Sequence, residues 1–307
     1  MDPLTHVLSG LTVSFCLPEQ TKRQHIFCMI AASLPDIDNF AALFGREFYL
    51  MHHRGFCHSL IGGVILSIIL TGILRFSSKE EKSFRYFVLF YSLICLHLFL
   101  DLITSYGTQL FSPFTNYRCA IPCVFIIDLI LTGVLFVGVA FCLITPKKRK
   151  MIAVSCFCFI FVYPLFGKIV QRIQLERVKT VLKQEARSIH VLPSLFSPLY
   201  WKVIVDQTSH YELRHLSLLS QIETYPSYTF EKVSFHKLLQ KSPNHSILKL
   251  YSWFADFPAV LKDDSSNSMR IVDLKFISAN PLFHQLFDID HIPFMLTINP
   301  NNQCILH

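Results

Sequence analysis

The chain has 307 residues, of which 52% are hydrophobic and only 16% charged, with a mean hydropathy of +0.43 and a net charge of +7. A globular domain is typically about 25% charged, so too little polar surface is available to cover a water-soluble particle of 35.5 kDa. The same numbers argue against a disordered chain, a fibrous repeat or a nucleic-acid-binding protein.

The apolarity is unevenly spread. Residues 1–170 hold 14 Lys/Arg and 9 Asp/Glu, and the shorter remainder holds 14 and 12. In chain order, Leu4 to Leu17 and His25 to Leu34 are apolar but short, and read as an N-terminal helical hairpin. Four longer runs follow, Leu60 to Leu74, Phe84 to Ile103, Ala120 to Ile144 and Met151 to Val170, and read as helical membrane spans. The start lacks a basic region and a small-residue cleavage site, so Met1 is expected to stay. A polar, helix-prone connector covers 171–190. Residues 191–307 then read as a small α+β domain outside the lipid, with strands expected at Tyr200 to Asp206, Tyr211 to Leu219, Ser246 to Phe254 and Arg270 to Ile277. The expected fold is thus mainly α, a polytopic membrane bundle of about four spans with a C-terminal α+β domain. Nine of the ten cysteines fall before residue 160, mostly within apolar runs, and read as buried hydrophobes.

Basic residues in short loops set the orientation. Lys22 and Arg23, the Arg75 to Arg85 loop and Lys147 to Lys150 place ten on one side against Arg46, Arg54, Arg118 and Lys168 on the other. The first side is therefore expected to face the cytoplasm. The N-terminus, the 104–119 loop and the C-terminal domain are expected on the outer face of an inner membrane.

Ionisable groups in or beside membrane helices are costly, and each needs a reason. Five places qualify: His6, Asp36 with Asp38, the His52 to His58 cluster, His97 with Asp101, and Asp128. With that orientation all five fall at the non-cytoplasmic ends of their helices. His97 and Asp101 share a helix face one turn apart and could grip one ion, or form a hydrogen-bonded pair. In HRGFCH, Gly55 suggests a loop feeding a helix capped by Ser59. There His53 or His58 could ligate a metal and Arg54 hold an anionic oxygen. Asp36 and Asp38 read as ligands or as a cap for a following helix, and Asp128 needs a partner across the bundle. His25 and the eight histidines after residue 171 share no such level. A mixed His and carboxylate set suits Zn2+, Mn2+ or Fe2+ and has enough members for two ions, a known arrangement for hydrolysing phosphate esters.

The motifs DPLTH, LPDID, HHRGFCHS, HLFLD and IIDLILT, in that order, resemble the YdjM/YbcI family of membrane-bound metal-dependent hydrolases. SPLYWKVIVDQTSHYEL, SWFADF and IVDLKF continue the likeness into the C-terminal domain. That family is in turn similar to the zinc-dependent phospholipase C and single-strand nuclease superfamily. The resemblance implies metal ligation by His6, Asp36, His53 or His58, His97, Asp101 and Asp128. Two departures stand out: no late HxxxE pair is present, and Cys57 stands where Thr is expected. The expected activity is hydrolysis of a phosphoester, of a phospholipid or another substrate, by a metal-activated water with Asp38 as general base and Arg54 on the phosphate. The alternative is a metal-ion or small-solute transporter built on the same residues, disfavoured because no polar path leads to the cytoplasmic side.

Overall fold

A computed structural model of the chain describes residues 1–18, 21–78, 83–182, 188–219, 227–241, 245–261, 268–277, 292–299 and 303–307. It divides into two compact units, Met1–Leu43 with His52–Lys168, and Phe44–Met51 with Ile169–His307.

The first unit is helical. Helices α1 (Pro3–Cys16) and α2 (Lys22–Ser33) form the expected hairpin, and α2 runs on as a 3-10 helix over Leu34–Phe44. Gly10 lets the two helices touch, since a Cβ there would lie 2.5 Å from the Cys28 carbonyl oxygen and 2.7 Å from Ala32 Cβ. After α3 (Arg46–His52), which up to Met51 belongs to the second unit, and a 3-10 turn (Phe56–His58) come α4 (Leu60–Ser78), α5 (Ser83–Leu102), α6 (Leu129–Ile144) and α7 (Arg149–Leu182), which from Ile169 on also belongs to the second unit. Leu8 and Phe15 of α1, Leu96 and Leu100 of α5, Leu131 and Leu135 of α6 and Ile160 of α7 form one buried core. Cys28, Ala31 and Ala32 of α2 pack with Leu70, Leu74, Phe90 and Leu93 in a second.

Among the described residues, three helices are long and apolar enough to cross a membrane: Lys22–Phe44, Ser83–Leu102 and Pro146–Leu182. A fourth arises if Arg46–His58 and Leu60–Phe76, bent by 70° to each other, count as one span. Two expectations change here. The stretch from His25 to Leu34, read as too short to cross, is lengthened by the 3-10 helix, whose first turn accommodates Pro35. The run from Ala120 to Ile144 is helical only from Leu129, because Pro122 and the cap at Asp128 delay the helix and leave 16 residues.

The second unit carries an eight-stranded antiparallel sheet in sequential order, β1 (Ser188–Pro193), β2 (Tyr200–Asp206), β3 (His210–Ser217), β4 (Ser227–Lys232), β5 (Pro258–Leu261), β6 (Met269–Asp273), β7 (Leu296–Ile298) and β8 (Cys304–Leu306). Side chains alternate between faces along β2. Trp201, Val203 and Val205 pack with Val170 and Val178 of α7, whereas Ile204 joins Leu192, Leu213, Ala259 and Leu274. Helices α8 (Phe235–Lys241) and α9 (Ser246–Phe254) separate β4 from β5. The strand expected at Ser246 to Phe254 is therefore a helix. Its buried residues, Leu248, Tyr251 and Phe254, recur every three, a helical period that outweighs the apparent alternation. Residues 183–187 of the expected connector lie outside the described residues; those before them continue α7.

Lys202, on the same face as Ile204, is buried and donates to the carbonyls of Leu274 at 2.9 Å, Lys275 at 2.7 Å and Ile277 at 2.7 Å. Burial pushes its pKa from 10.5 down to about 7, with the Asp273 carboxylate pulling the other way. Between those values the unfolded chain binds a proton that the folded one lacks, so stability is expected to rise from pH 7 towards 10, by at most about 1.4 kcal/mol per pH unit. Both tryptophans, Trp201 and Trp253, belong to this unit, so denaturant titrations followed by tryptophan fluorescence at several pH values read it directly. Lys202→Met should flatten the slope and lower stability by about 1–3 kcal/mol through the orphaned carbonyls; an unchanged slope would count against a titrating Lys202.

Candidate metal centre

The first unit gathers most of the scarce ionisable residues into one cluster, and local sequence explains how each is placed. Asp2 caps α1, its Oδ1 accepting from Thr5 N at 3.0 Å, and Pro3 occupies the first helical position. That fixes His6 in the first turns. The 3-10 helix carries Asp36 and Asp38. His58 ends the 3-10 turn before α4, where Ser59 Oγ accepts from Gly62 N at 2.9 Å as a helix cap. Gly62 is required by close approach, because a Cβ would sit 1.9 Å from the Phe56 carbonyl oxygen. His97 and Asp101 lie one turn apart on α5.

His58 Nε2 lies 3.0 Å from His97 Nε2, 3.1 Å from Asp101 Oδ2 and 3.6 Å from Asp36 Oδ1. His97 Nε2 lies 3.4 Å from Asp101 Oδ2 and 3.8 Å from Asp36 Oδ1. A tetrahedral zinc site with bonds of about 2.0–2.1 Å has donor-to-donor edges of about 3.3–3.4 Å, so these five separations are close to the spacing of donors that share one ion. His6 adds a fifth group, stacked on His97 with ring centroids 3.7 Å apart and its Nε2 3.4 Å from Asp101 Oδ1. In this way two groups form whose donors lie close enough to hold an ion, His6 with His97 and Asp101, and Asp36 with His58 and His97.

The ring tautomers sharpen the fit. His97 Nδ1 donates to the Ala32 carbonyl at 2.7 Å, and His58 Nδ1 donates to Asp38 Oδ2 at 2.8 Å. Each neutral ring therefore turns its Nε2 lone pair towards the other. Two acceptors 3.0 Å apart satisfy neither; a cation or proton between them does. Both nitrogens of His6, Asp36 Oδ2 and Asp101 Oδ2 are likewise buried without hydrogen-bond partners. Buried polar atoms are seldom orphaned, and a divalent ion would engage such a donor set.

The surroundings are equally organised. Asp101 Oδ1 accepts from Arg54 Nη2 at 2.9 Å and pairs with the amine of Met1. Arg54 also donates to Thr104 Oγ1 at 3.0 Å and lies over the Tyr106 ring, 4.9 Å from its centroid. Its backbone adopts a left-handed φ of 57°, an uncommon conformation away from glycine, and its N–H donates to Asp38 Oδ2 at 2.9 Å.

Three of the expected site residues have other partners in the structure. Arg54, expected on a phosphate, is buried and committed to Asp101, Thr104 and Tyr106. Asp38, expected as a general base, accepts from His53, His58 and the Arg54 N–H, so it orients rings. Asp128 belongs to neither donor group; it caps α6 by accepting from Ile130 N at 3.1 Å and Leu131 N at 2.9 Å, and Tyr163 donates to it from across the bundle. The structure also separates the two loop histidines: His58 joins the donor group, whereas His53, 11% exposed, is hydrogen-bonded to Asp38 Oδ1 at 3.0 Å. Sequence reasoning missed Tyr106, Thr104 and the Ala32 carbonyl. Thr104 had one signal, its place three residues after Asp101.

Comparison with known proteins bears on this half of the chain most. Residues 1–174 match the family described as YdjM inner membrane protein. A curated relative, the uncharacterized protein YfhP of Bacillus subtilis (strain 168), is 24% identical over 226 residues, spanning 68% of this chain and 66% of the relative's length. No solved structure matches. Because the match takes in 174 of 307 residues and contains the whole His and Asp cluster, the chain belongs to the YdjM inner membrane protein family.

Proposed function

We propose that the protein is a membrane-embedded metal-dependent hydrolase acting on a phosphoester, with one Zn2+ held by Asp36, His58 and His97, Asp101 beside them and a coordination position left for water, at the non-cytoplasmic end of the bundle. The observation that carries this reading is the spacing of the Asp36, His58 and His97 donors, 3.0–3.8 Å apart, with the unpartnered Asp101 Oδ2 3.1 and 3.4 Å from the two histidines. His97 offers one outward nitrogen to both donor groups, which supports a single ion where the composition alone allowed two. When bound, the ion activates a water and stabilises negative charge developing on oxygen.

The chain's own residues do the rest. Arg54 holds Asp101 Oδ1 so that Oδ2 faces the histidines. Asp38 fixes the His58 ring and, through its other oxygen, His53. His53, partly exposed with Asp38 behind its Nδ1, takes over the proton-handling role: its Nε2 accepts a proton from water and Asp38 stabilises the resulting imidazolium. Asp36, 17% exposed, marks the approach from solvent.

Elemental analysis of the detergent-purified protein, together with hydrolysis of phospholipids and of a chromogenic phosphodiester, tests the proposal. About one zinc per chain and metal-dependent hydrolysis are expected. Absence of stoichiometric Zn, Mn or Fe would sink the metal centre. A bound metal with metal-dependent uptake into proteoliposomes and no hydrolysis would favour the transporter instead.

A further inference from the structure

At the opposite end of α5 from His97 lies a cavity of about 270 Å³ lined by Thr21, Arg23, Gln24, Phe27, Leu74, Tyr86 and Phe90. These residues come from the ends of three apolar helices: the start of α2, the end of α4 and the start of α5. Eleven residues of helix separate Tyr86 from His97, about 16 Å at 1.5 Å per residue, so this is a separate place from the metal centre. The walls are mainly apolar and aromatic, with Phe27 and Phe90 stacked at 6.0 Å and Tyr86 tilted against Phe90 at 6.0 Å.

The polar groups are few and specific. Gln24 is 8% exposed, and its Oε1 is buried with no hydrogen-bond partner, an acceptor left for a donor to fill. Arg23 brings a guanidinium, which donates to the Leu74 carbonyl at 3.3 Å and lies 5.7 Å from the Phe27 ring centroid. Thr21 caps α2, its Oγ1 accepting from Gln24 N at 3.2 Å, and helix starts of this kind favour anions. Among the described residues the lining contains a cation and no carboxylate.

We propose that this cavity binds the headgroup of a hydroxyl-bearing anionic phospholipid, of which phosphatidylglycerol is the simplest: the phosphate meets Arg23 and the start of α2, and a glycerol hydroxyl donates to Gln24 Oε1. The position, where three membrane-length or near-membrane-length helices end, matches a headgroup level. The net positive lining selects an anionic lipid over a zwitterionic one. A lipid held here would tie α2, α4 and α5 together at one end.

The test is native mass spectrometry of the full-length protein in detergent, titrated with phosphatidylglycerol, phosphatidylethanolamine and phosphatidylcholine of identical acyl chains, with soluble glycerol phosphate as competitor. Phosphatidylglycerol should bind at least about fivefold tighter than phosphatidylcholine, and Gln24→Leu should weaken it about fivefold to tenfold, the worth of a hydrogen bond to a buried acceptor. Arg23→Gln should bring it to the phosphatidylcholine level. Equal binding of the three lipids by the wild-type protein would overturn the proposal, and that readout stands even if a variant fails to fold. So would folded Gln24→Leu and Arg23→Gln proteins that bind like wild type. Preference for phosphatidylethanolamine would replace the hydroxyl with an ammonium and overturn the assignment. Displacement by millimolar glycerol phosphate would make the ligand a soluble phosphorylated polyol and overturn the lipid.

Discussion

Purified His58→Ala protein is expected to keep less than a tenth of the wild-type zinc and to lose hydrolytic activity. Its Nε2 sits within 3.0–3.6 Å of the His97, Asp101 and Asp36 donors, so removing it takes away the nitrogen that stands next to all three. Asp38→Asn keeps every donor but changes what fixes the ring, because an amide in that place can present a donor to His58 Nδ1 instead of an acceptor. Loss of such an outer partner typically weakens metal binding about 10–100-fold. Asp128→Asn provides the contrast. That residue caps α6 and meets Tyr163, and an asparagine both caps a helix and accepts about as well, so its replacement should cost less than about 1 kcal/mol of stability and leave zinc unchanged. Metal content and chelator competition on the three variants give a graded series. A His58→Ala protein with full zinc, or an Asp128→Asn protein that loses as much as Asp38→Asn, would break the proposed division of roles.

Arg54→Met is expected to be the most destabilising single change in the helical unit. Asp101 is fully buried, and removing its guanidinium partner leaves the charge to the Met1 amine and the neighbouring histidines. Breaking a buried pair by deleting one member costs about 3–5 kcal/mol. Arg54→Lys should rescue little, since an ammonium cannot reach Asp101 and Thr104 with the same planar fork. The double variant Arg54→Met with Asp101→Asn removes the uncompensated charge and should recover part of the loss. Thermal melts in detergent, with circular dichroism at helix wavelengths, read this unit because the tryptophans belong to the other. A double variant no more stable than Arg54→Met alone would show that the pair is not what the arginine supports.

Much of this was legible in the residues. DPLTH carries its own cap and so fixes where α1 begins and where His6 points. HxxxD on an apolar helix implies two donors on one face, and that geometry is local. The limits came where geometry is made through space. Nothing near Arg54 in sequence tells that its guanidinium turns inward to Asp101, 47 residues away, or that Tyr106 will lie beneath it. Asp38 and Asp36 are two residues apart, and the spacing alone does not say where each points; a 3-10 helix sends one towards the Nδ1 atoms of His53 and His58 and the other towards the shared centre. Asp128 was ambiguous for a different reason: a buried carboxylate at a helix start serves as a cap or as a ligand with the same flanking residues. In the sheet unit the β2 and β3 alternation was clear, whereas Ser246 to Phe254 fits a period of two and a period near three and a half, and only packing chooses.

Pro35 brings one more consequence. Where α2 tightens into a 3-10 helix, the carbonyl of residue 32 would look to the amide of residue 35 for its hydrogen, and proline has none. That vacancy is what the His97 Nδ1–H fills. The LPDID stretch therefore contributes by subtraction as well as by its carboxylates: a missing backbone hydrogen in one helix dictates which nitrogen of an imidazole in another carries the proton.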